Sequence, residues 1–506
     1  MTARRPAPWT TLPALVLALL LAAGGCAVGP DYRRPAAPVP AAYKEAGADA
    51  AAAAAGAAAG AGSDAGWKPG TPRDAAPRGA WWSVFADPEL DGLERQVELS
   101  NQNVKQYEAE YREAVALLRE ARAQFFPTVS INGGVQRGGG GGGTAAVSSA
   151  VGSGAGGSTH TEFTLEPEIA WQPDIWGTIR RQVESRKAGV QVSKADLANA
   201  QLSAQASLAT DYFDLRAADS LRKILAQNVA LDERALEITR HQVEGGTATN
   251  GDLASAEAAL QAARAQLIAV QEQRGIYAHA IAVLTGRLPA DLSLAHAPLT
   301  AAVPTVPVDL PSTLLERNPA IAAAERQLQA ENAQIGVAKG AYFPTINLTA
   351  LGGYAGNPLS KLFRLGNRVW SLGASAGDTL FQGGEQIAAV AGARATYDQY
   401  VAAYRETVLT TFQSVEDQLL SLRVLQQEAE FEAEAVRQAQ RAADITLNEF
   451  NAGTVPYTTV ITTIQALLAD QQAALAIQQN RLVATVALIA ALGGGWDAAQ
   501  LSAAGK

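Results

Sequence analysis

Four short runs along the chain alternate apolar and polar residues with a period of two. In TVSINGGV, Val129, Ile131 and Val135 fall on one face and Thr128, Ser130 and Asn132 on the other. In TEFTLEPEIAW, Phe163, Leu165, Pro167, Ile169 and Trp171 alternate with Glu162, Thr164, Glu166 and Glu168. TINLTALGGY sets Ile346, Leu348 and Tyr354 against Thr345, Asn347 and Thr349, and VWSLGASAGDTL sets Trp370, Leu372, Ala374 and Ala376 against Ser371 and Ser375. Side chains of a strand point alternately to its two faces, so these runs predict strands over about 127–136, 161–172, 344–354 and 368–380.

Between them the period lengthens to that of helices. Asp87 to Gln124 is helical in character, with Asp87 as a cap and Pro88 at the first helical position, and residues 310–344 match it. Arg180 to Val243 contains no proline and predicts one helix of roughly 65 residues, about 100 Å long. Glu385 to Phe450 is its counterpart. Each long helix ends in a glycine turn, VEGGTATNGDL or FNAGTVPYTTV, which aligns Gly246 with Gly453 and Thr247 with Thr454; a further helix then runs to about Thr285 or Leu492. In the first of these, Leu253, Ala256, Leu260, Ala263, Leu267, Val270, Arg274, Tyr277, Ile281 and Leu284 alternate spacings of three and four. That heptad predicts a single seam against a neighbouring helix. FFPTV at 125–129 and YFPTI at 342–346 mark the passage from helix to strand in each half, because proline disfavours helical geometry in the residue before it. The chain therefore divides into two copies of one unit, 81–290 and 310–492, with a linker at 291–309 and a tail at 493–506.

Runs of about ten residues suit tilted transmembrane strands, and Trp171, Tyr354 and Trp370 lie near run ends, where an interfacial girdle would sit. Four strands cannot close a barrel, and an open sheet edge is not tolerated in lipid. The reading therefore requires an oligomer.

Composition narrows the chemistry. Only 6% of the 506 residues are aromatic and alanine is abundant, which favours long helices packed through small side chains. A net charge of −9 without a basic stripe excludes a nucleic-acid partner. The four histidines, His160, His241, His279 and His296, have no metal-ligand spacing, and neither HExxH nor G-x-S-x-G occurs. GGGGGG at 138–143 lacks the Gly-Lys-Ser/Thr of a phosphate loop and reads as an external loop. No enzyme, metal site or cofactor is predicted.

Residues 1–25 read as an export signal, with Arg4 and Arg5 ahead of an apolar run too short to span a bilayer. Cys26, the only cysteine, follows directly. The segment resembles a bacterial lipoprotein signal, which implies that Cys26 carries diacylglycerol and an N-acyl chain; Ala27 in place of aspartate implies the outer membrane. From 26 to 80 the chain is proline-rich and then an alanine- and glycine-rich low-complexity segment at 47–66.

CAVGPDYRRP at 26–35, WWSVFADPELDGL at 81–93, the twin FFPTV and YFPTI, QPDIWG at 172–177 with its partner TLFQGG at 379–384, and the two glycine turns together resemble the outer-membrane efflux proteins of the TolC superfamily, in particular the lipidated OprM/NodT-type branch. The resemblance implies a mainly α fold with a transmembrane β-barrel portion. In a homotrimer, twelve strands would form one barrel in the outer-membrane lipid and twelve helices a periplasmic tunnel. It implies a passive conduit working with a periplasmic adaptor protein and an inner-membrane pump of the RND type, exporting drugs, dyes or metals. A type I protein-secretion duct and a periplasmic coiled-coil scaffold lipoprotein are the alternatives. In such a barrel Glu162, Glu166 and Glu168 would face the lumen and favour cations. The turns at 244–250 and 451–457, with Gly246, Thr247, Phe450, Gly453 and Thr454, would form the periplasmic gate or tip. Relatives often carry acidic residues lining the constriction, but Thr459 and Thr462, six and nine residues after Gly453, are uncharged. Asp252, six after Gly246, is the candidate charged gate element, or else a residue that caps its helix.

Overall fold

The computed structural model describes residues 28–37, 40, 43–45, 80–139, 159–304, 306 and 317–494. The predicted export signal, Cys26, the low-complexity segment at 47–66 and residues 140–143 of the glycine run lie outside them. Helices α1 (Pro88–Ser100) and α2 (Gln102–Ala123) precede strands β1 (Thr128–Gly139) and β2 (Thr159–Trp171), followed by α3 (Thr178–Glu244) and α4 (Asn250–Leu284). The order then recurs as α5 (Pro319–Gly340), β3 (Thr345–Gly356), β4 (Arg368–Gly377), α6 (Glu385–Asn451) and α7 (Tyr457–Ala491). The chain packs as two compact units, one of residues 1–34, 113–190 and 327–400, the other of 35–112, 191–326 and 401–506.

The first unit holds one antiparallel sheet in the order β1-β2-β3-β4. The helix-to-strand passages are each tied by an indole. Trp171 Nε1 donates to Phe125 O at 3.0 Å, and Trp176 Nε1 donates to Pro344 O at 2.8 Å while its ring stacks on Phe343. In QPDIWG, Asp174 caps α3 by accepting from Ile179 N and Arg180 N. β4 stops at Gly377, short of the predicted 380: Leu380 and Phe381 are almost fully exposed, and Gly383 and Gly384 take positive φ before α6. Residues just beyond Cys26 are clamped in the same unit. Buried Arg181 donates to Val28 O and pairs with Asp31 at 2.8 Å, Asn332 donates to Pro30 O, and Gly29, at φ +112°, lies where a Cβ would come 2.5 Å from Gly336 Cα.

In the second unit Trp81, Trp82, Phe85, Leu90, Leu93 and Val97 pack against Leu208, Tyr212, Phe213 and Leu215 of α3 and Leu482, Val486 and Ile489 of α7. Asp87 caps α1, accepting from Glu89 N and Leu90 N, with Pro88 at the first position. The α4 seam is as the heptad predicts: Ala256, Leu260, Ala263, Val270 and Ile281 are buried and the intervening residues are largely not. α7 is long and apolar enough to cross a membrane, yet its Tyr457, Val460 and Ile464 are packed with Leu260 of α4 and Phe450 of α6.

The continuous helix predicted from Asp87 to Gln124 is broken at Asn101, whose backbone is extended. Asn101 is buried and works in two directions: its Oδ1 accepts from Val104 N, capping α2, and its Nδ2 donates to Leu284 O at the end of α4. Asn318 repeats the device, accepting from Ala320 N and Ile321 N and donating to Ala491 O at the end of α7. One amide thus satisfies orphan groups at two helix termini. In the repeat from 310 to 344, α5 begins only at Pro319, and residues 310–316 lie outside the described set. Beside each asparagine a glycine makes room: a Cβ on Gly286 would lie 2.3 Å from Ser100 O, and one on Gly493 2.6 Å from Arg317 O, both at positive φ. Gly286→Ala and Gly493→Ala are each expected to cost roughly 2–4 kcal/mol through overlap plus left-handed strain. Thermal melts of the detergent-extracted protein that place both variants within 1 °C of the parent would contradict this packing.

Candidate functional site

The strand registers collect every polar alternation on one side of the sheet. Ser130 pairs with Glu168, Asn132 with Glu166 and Gln136 with Glu162. Glu168 pairs onward with Leu351 and Ala170 with Thr349, and β3 places Asn347 beside Ser375 and Leu351 beside Ser371. Paired residues share a face, so Thr128, Ser130, Asn132, the three glutamates, Thr345, Asn347, Thr349, Ser371 and Ser375 form one polar surface. Asn132 Nδ2 donates to Glu168 Oε2 at 3.1 Å, the diagonal contact of that face. No lysine or arginine of the four strands lies on it among the described residues: Arg137 and Arg368 fall in the opposite alternation.

The other face is uncovered and, apart from Arg137, Thr161 and Arg368 towards one end, largely apolar. Val129, Ile131, Val135, Trp370 and Leu372 are between 66% and 76% exposed, and Ile169 and Trp171 are also exposed. A soluble sheet would bury such a surface; one this large marks contact with lipid or with another chain. β1 and β4 each pair on one side only, which leaves two strand edges as templates for further strands.

At the glycine turns the two repeats agree atom for atom. Thr247 N donates to Gln242 O at 2.8 Å and Gly246 N to Val243 O at 3.0 Å; Thr454 N donates to Glu449 O at 3.0 Å and Gly453 N to Phe450 O at 2.9 Å. This is the paired hydrogen-bond pattern that closes a helix through a left-handed residue, and Gly246 and Gly453 take φ of +73° and +75°. Thr247 and Thr454 reinforce it, each hydroxyl donating to the same carbonyl as its own amide. A Cβ on either glycine would meet nothing within 4 Å.

The remaining candidates lie around these turns in different settings. Asp252 completes a capping box with Thr249: its Oδ2 accepts from Thr249 N and Thr249 Oγ1, and Thr249 Oγ1 accepts from Asp252 N. Those hydrogen bonds from Thr249 hold its carboxyl below the usual range. Phe450 does not project from the turn. It is 1% exposed, packed with Tyr457 at 5.9 Å between ring centres and with Ala235 and Leu260, because its position on α6 turns it into the seam between the helix pairs. Thr459 and Thr462 are exposed, and the Thr462 hydroxyl is spent on Thr459 O.

Sequence reasoning missed the buried carboxylates Glu94, Asp219 and Asp232. Asp219, fully buried on α3, accepts from Arg274 Nε at 2.7 Å, from Ala297 N and from Arg216 Nη1, and bonds His296 Nδ1. Burial would raise its pKa, but the bonds from His296, Arg274 and Ala297 hold the carboxyl below its ordinary value. In the sequence Arg274 reads only as one position of the α4 heptad. Asp232 is buried near Tyr457; burial pushes it up to about 6 and, together with Asp232, pushes the Tyr457 phenol up to about 12. Glu94 is wholly buried on α1, and neither carboxylate oxygen has a hydrogen-bond partner among the described residues. Burial, with Glu98 and Asp91 nearby, pushes it up to about 9. Among the described residues no cluster of histidine, cysteine or carboxylate side chains could hold a metal ion.

The profile of the family described as "Outer membrane efflux protein" matches residues 93–287 and 310–494. The chain is 30% identical over 425 residues, 84% of its length and 89% of the relative's, to the pyoverdine export outer membrane protein OpmQ of Pseudomonas aeruginosa. It is 28% identical to the probable efflux pump outer membrane protein TtgC of Pseudomonas putida, over 94% of this chain and 93% of that one. Among solved structures, the outer-membrane channel OprN superposes with a TM-score of 0.81 at 27% identity, over 93% of this chain and all of the other. The Neisseria gonorrhoeae channel MtrE shares the fold, with a TM-score of 0.77 at 24% identity over 94% and 99% of the two chains.

Proposed function

The chain belongs to the outer membrane efflux protein family and is an efflux channel component of the cell outer membrane; from that premise we propose that it works as a passive trimeric conduit. The observation that carries this reading is the two-faced sheet. Its exposed apolar face suits lipid, its polar face suits water, and its two unpaired edges call for neighbouring copies. Three copies supply twelve strands and close a barrel without edges. Glu162, Glu166 and Glu168 then line the lumen, where a focused negative field favours cations. Cys26, acylated, anchors the chain; the clamp on residues 28–31 fixes the polypeptide two residues beyond it, and two acyl chains suffice for stable anchoring. The conduit joins a periplasmic adaptor and an RND-type inner-membrane pump, and exports small toxic solutes.

The test is electrical and physiological together. Deleting the gene should sensitise cells to the pump's substrates, and the purified protein should form cation-selective channels in planar bilayers. Glu162→Gln, Glu166→Gln and Glu168→Gln combined should bring the cation-to-anion permeability ratio close to one; a triple variant as selective as the parent would remove these residues from the lumen.

The adaptor contact yields a further expectation. Because Gly246 and Gly453 face open space, Gly246→Trp and Gly453→Trp disturb only the turn's own backbone, at about 1–2 kcal/mol. Each should abolish efflux while leaving trimers intact on gels, and normal drug resistance in both would refute the docking role of the turns.

A further inference from the structure

At the level of residues 199–215, α3 has two unlike faces. Leu208, Tyr212 and Leu215 are buried under Trp81, Trp82 and Leu90. The opposite side carries Ser203, Ser207, Thr210 and Asp211 and opens onto a groove of about 620 Å³. α6 forms the second wall with Thr410, Thr411, Ser414 and Gln418, and α7 supplies a floor of Val486, Ala487, Ala490 and Ala491. That volume is in the range of sites for drug-sized molecules.

The walls carry the amides of Asn199 and Gln418, which both donate and accept, a set of hydroxyls, and a single charge. Thr210, Thr410, Thr411 and Ser414 each donate their hydroxyl proton to a backbone carbonyl one turn earlier, at 2.7 to 2.9 Å. Their oxygens are left to the groove as acceptors. Asp211 adds a carboxylate for which the described residues provide no hydrogen-bond donor, and none of the lining residues is lysine, arginine or histidine. Its charged neighbour is Asp214, already bonded to Gln479 of α7. Burial and Asp214 push the Asp211 carboxyl up to about 6, which leaves it ionised at neutral pH. A molecule that matches an alanine and valine floor, several acceptors and one negative charge is apolar in body and positively charged at one end.

We propose that this groove between α3, α6 and α7 is a weak transit site for amphipathic organic cations, with Asp211 as its charged contact. The proposal deepens the conduit reading and rests on it. Low affinity suits a passage that must release what it takes up, and the small floor residues set no shape that would exclude one drug-sized cation in favour of another.

The experiment records single-channel current through the purified full-length protein while tetraphenylphosphonium is added, expressing block as a fraction of each variant's own open current. The parent should show concentration-dependent block at pH 7.5, and a neutral aromatic solute of similar size should not block. Asp211→Asn should weaken block about tenfold, the scale of one partly screened charge pair. Ser207→Leu, which fills the groove and keeps the carboxylate, should weaken it as well and decides the matter if Asp211→Asn does not insert. Equal block in the parent and in either inserted variant overturns the site. A parent that conducts without block sinks the site alone; a parent that inserts without passing current sinks the conduit reading, and the site with it.

Discussion

Asp219→Ala is expected to destabilise the folded chain by about 3–5 kcal/mol, the scale of removing one partner from a buried ion pair. The substitution leaves Arg216, 3% exposed at its side chain, with Glu89 but without Asp219, and strips Arg274 of the carboxylate that its Nε bonds. It also frees Ala297 N and His296 of the linker that this carboxylate pins to α3. Because the folded-state pKa of Asp219 lies below the ordinary carboxylate value, its contribution is fully present above that value and is lost as the pH falls through the lowered one. The gap in melting midpoint between parent and variant should therefore be constant from pH 8 to about pH 5 and narrow only in stronger acid. Asp219→Asn, which keeps acceptor geometry without charge, should recover part of the loss. Matching midpoints for parent and Asp219→Ala at pH 7.5 would show that the network holds nothing.

The second large effect has the opposite sign. Glu94→Leu should stabilise the protein at neutral pH by about 1–3 kcal/mol, the cost of buried oxygens without partners. Glu94 is held neutral when folded, its carboxyl pushed up to about 9, whereas in the unfolded chain it ionises near its ordinary 4.5. Between those values the unfolded state binds fewer protons, so stability is greatest in acid and declines as the pH rises. The parent should lose stability from pH 5 to pH 9 through this group, and Glu94→Leu and Glu94→Gln should both remove that share of the slope. Both should raise the midpoint at pH 7.5, leucine more than glutamine, since glutamine keeps a polar group in the same apolar place. An unchanged slope in both variants would contradict the assignment.

The regular parts of this molecule were legible because their signals are local. Val129 and Ile131 against Ser130 and Asn132 define a strand without reference to anything else, and the Leu253-to-Leu284 heptad states which residues are buried in α4. Gly246 and Gly453 could be aligned because a left-handed turn restricts the residue type. The rest depends on partners distant in sequence. Asn101 sits in a good helical context, and only Leu284 O, waiting at the end of another helix, makes a break there favourable. Asp219 meets Arg274, His296 and Ala297 across 55 to 78 residues of chain. Phe450, beside a conspicuous turn, belongs to a seam whose other half is α4 and the start of α7.

The acidic ladder of β2 has no equal in its repeat partner. In the alignment that sets Gly246 on Gly453, the β4 positions matching Glu162, Glu166 and Glu168 are Val369, Gly373 and Ser375. Duplication built a wall with six similar hairpins in the proposed trimer, yet only three of them carry charge on the polar face. A cation moving along that wall would meet three negative rails separated by neutral, small-residue lanes, so the pore's geometry is sixfold and its electrostatics threefold. Bulky neutral solutes and small cations could then share one channel on different azimuths, and swapping Ser375→Glu and Gly373→Glu into β4 would erase the lanes without altering the bore.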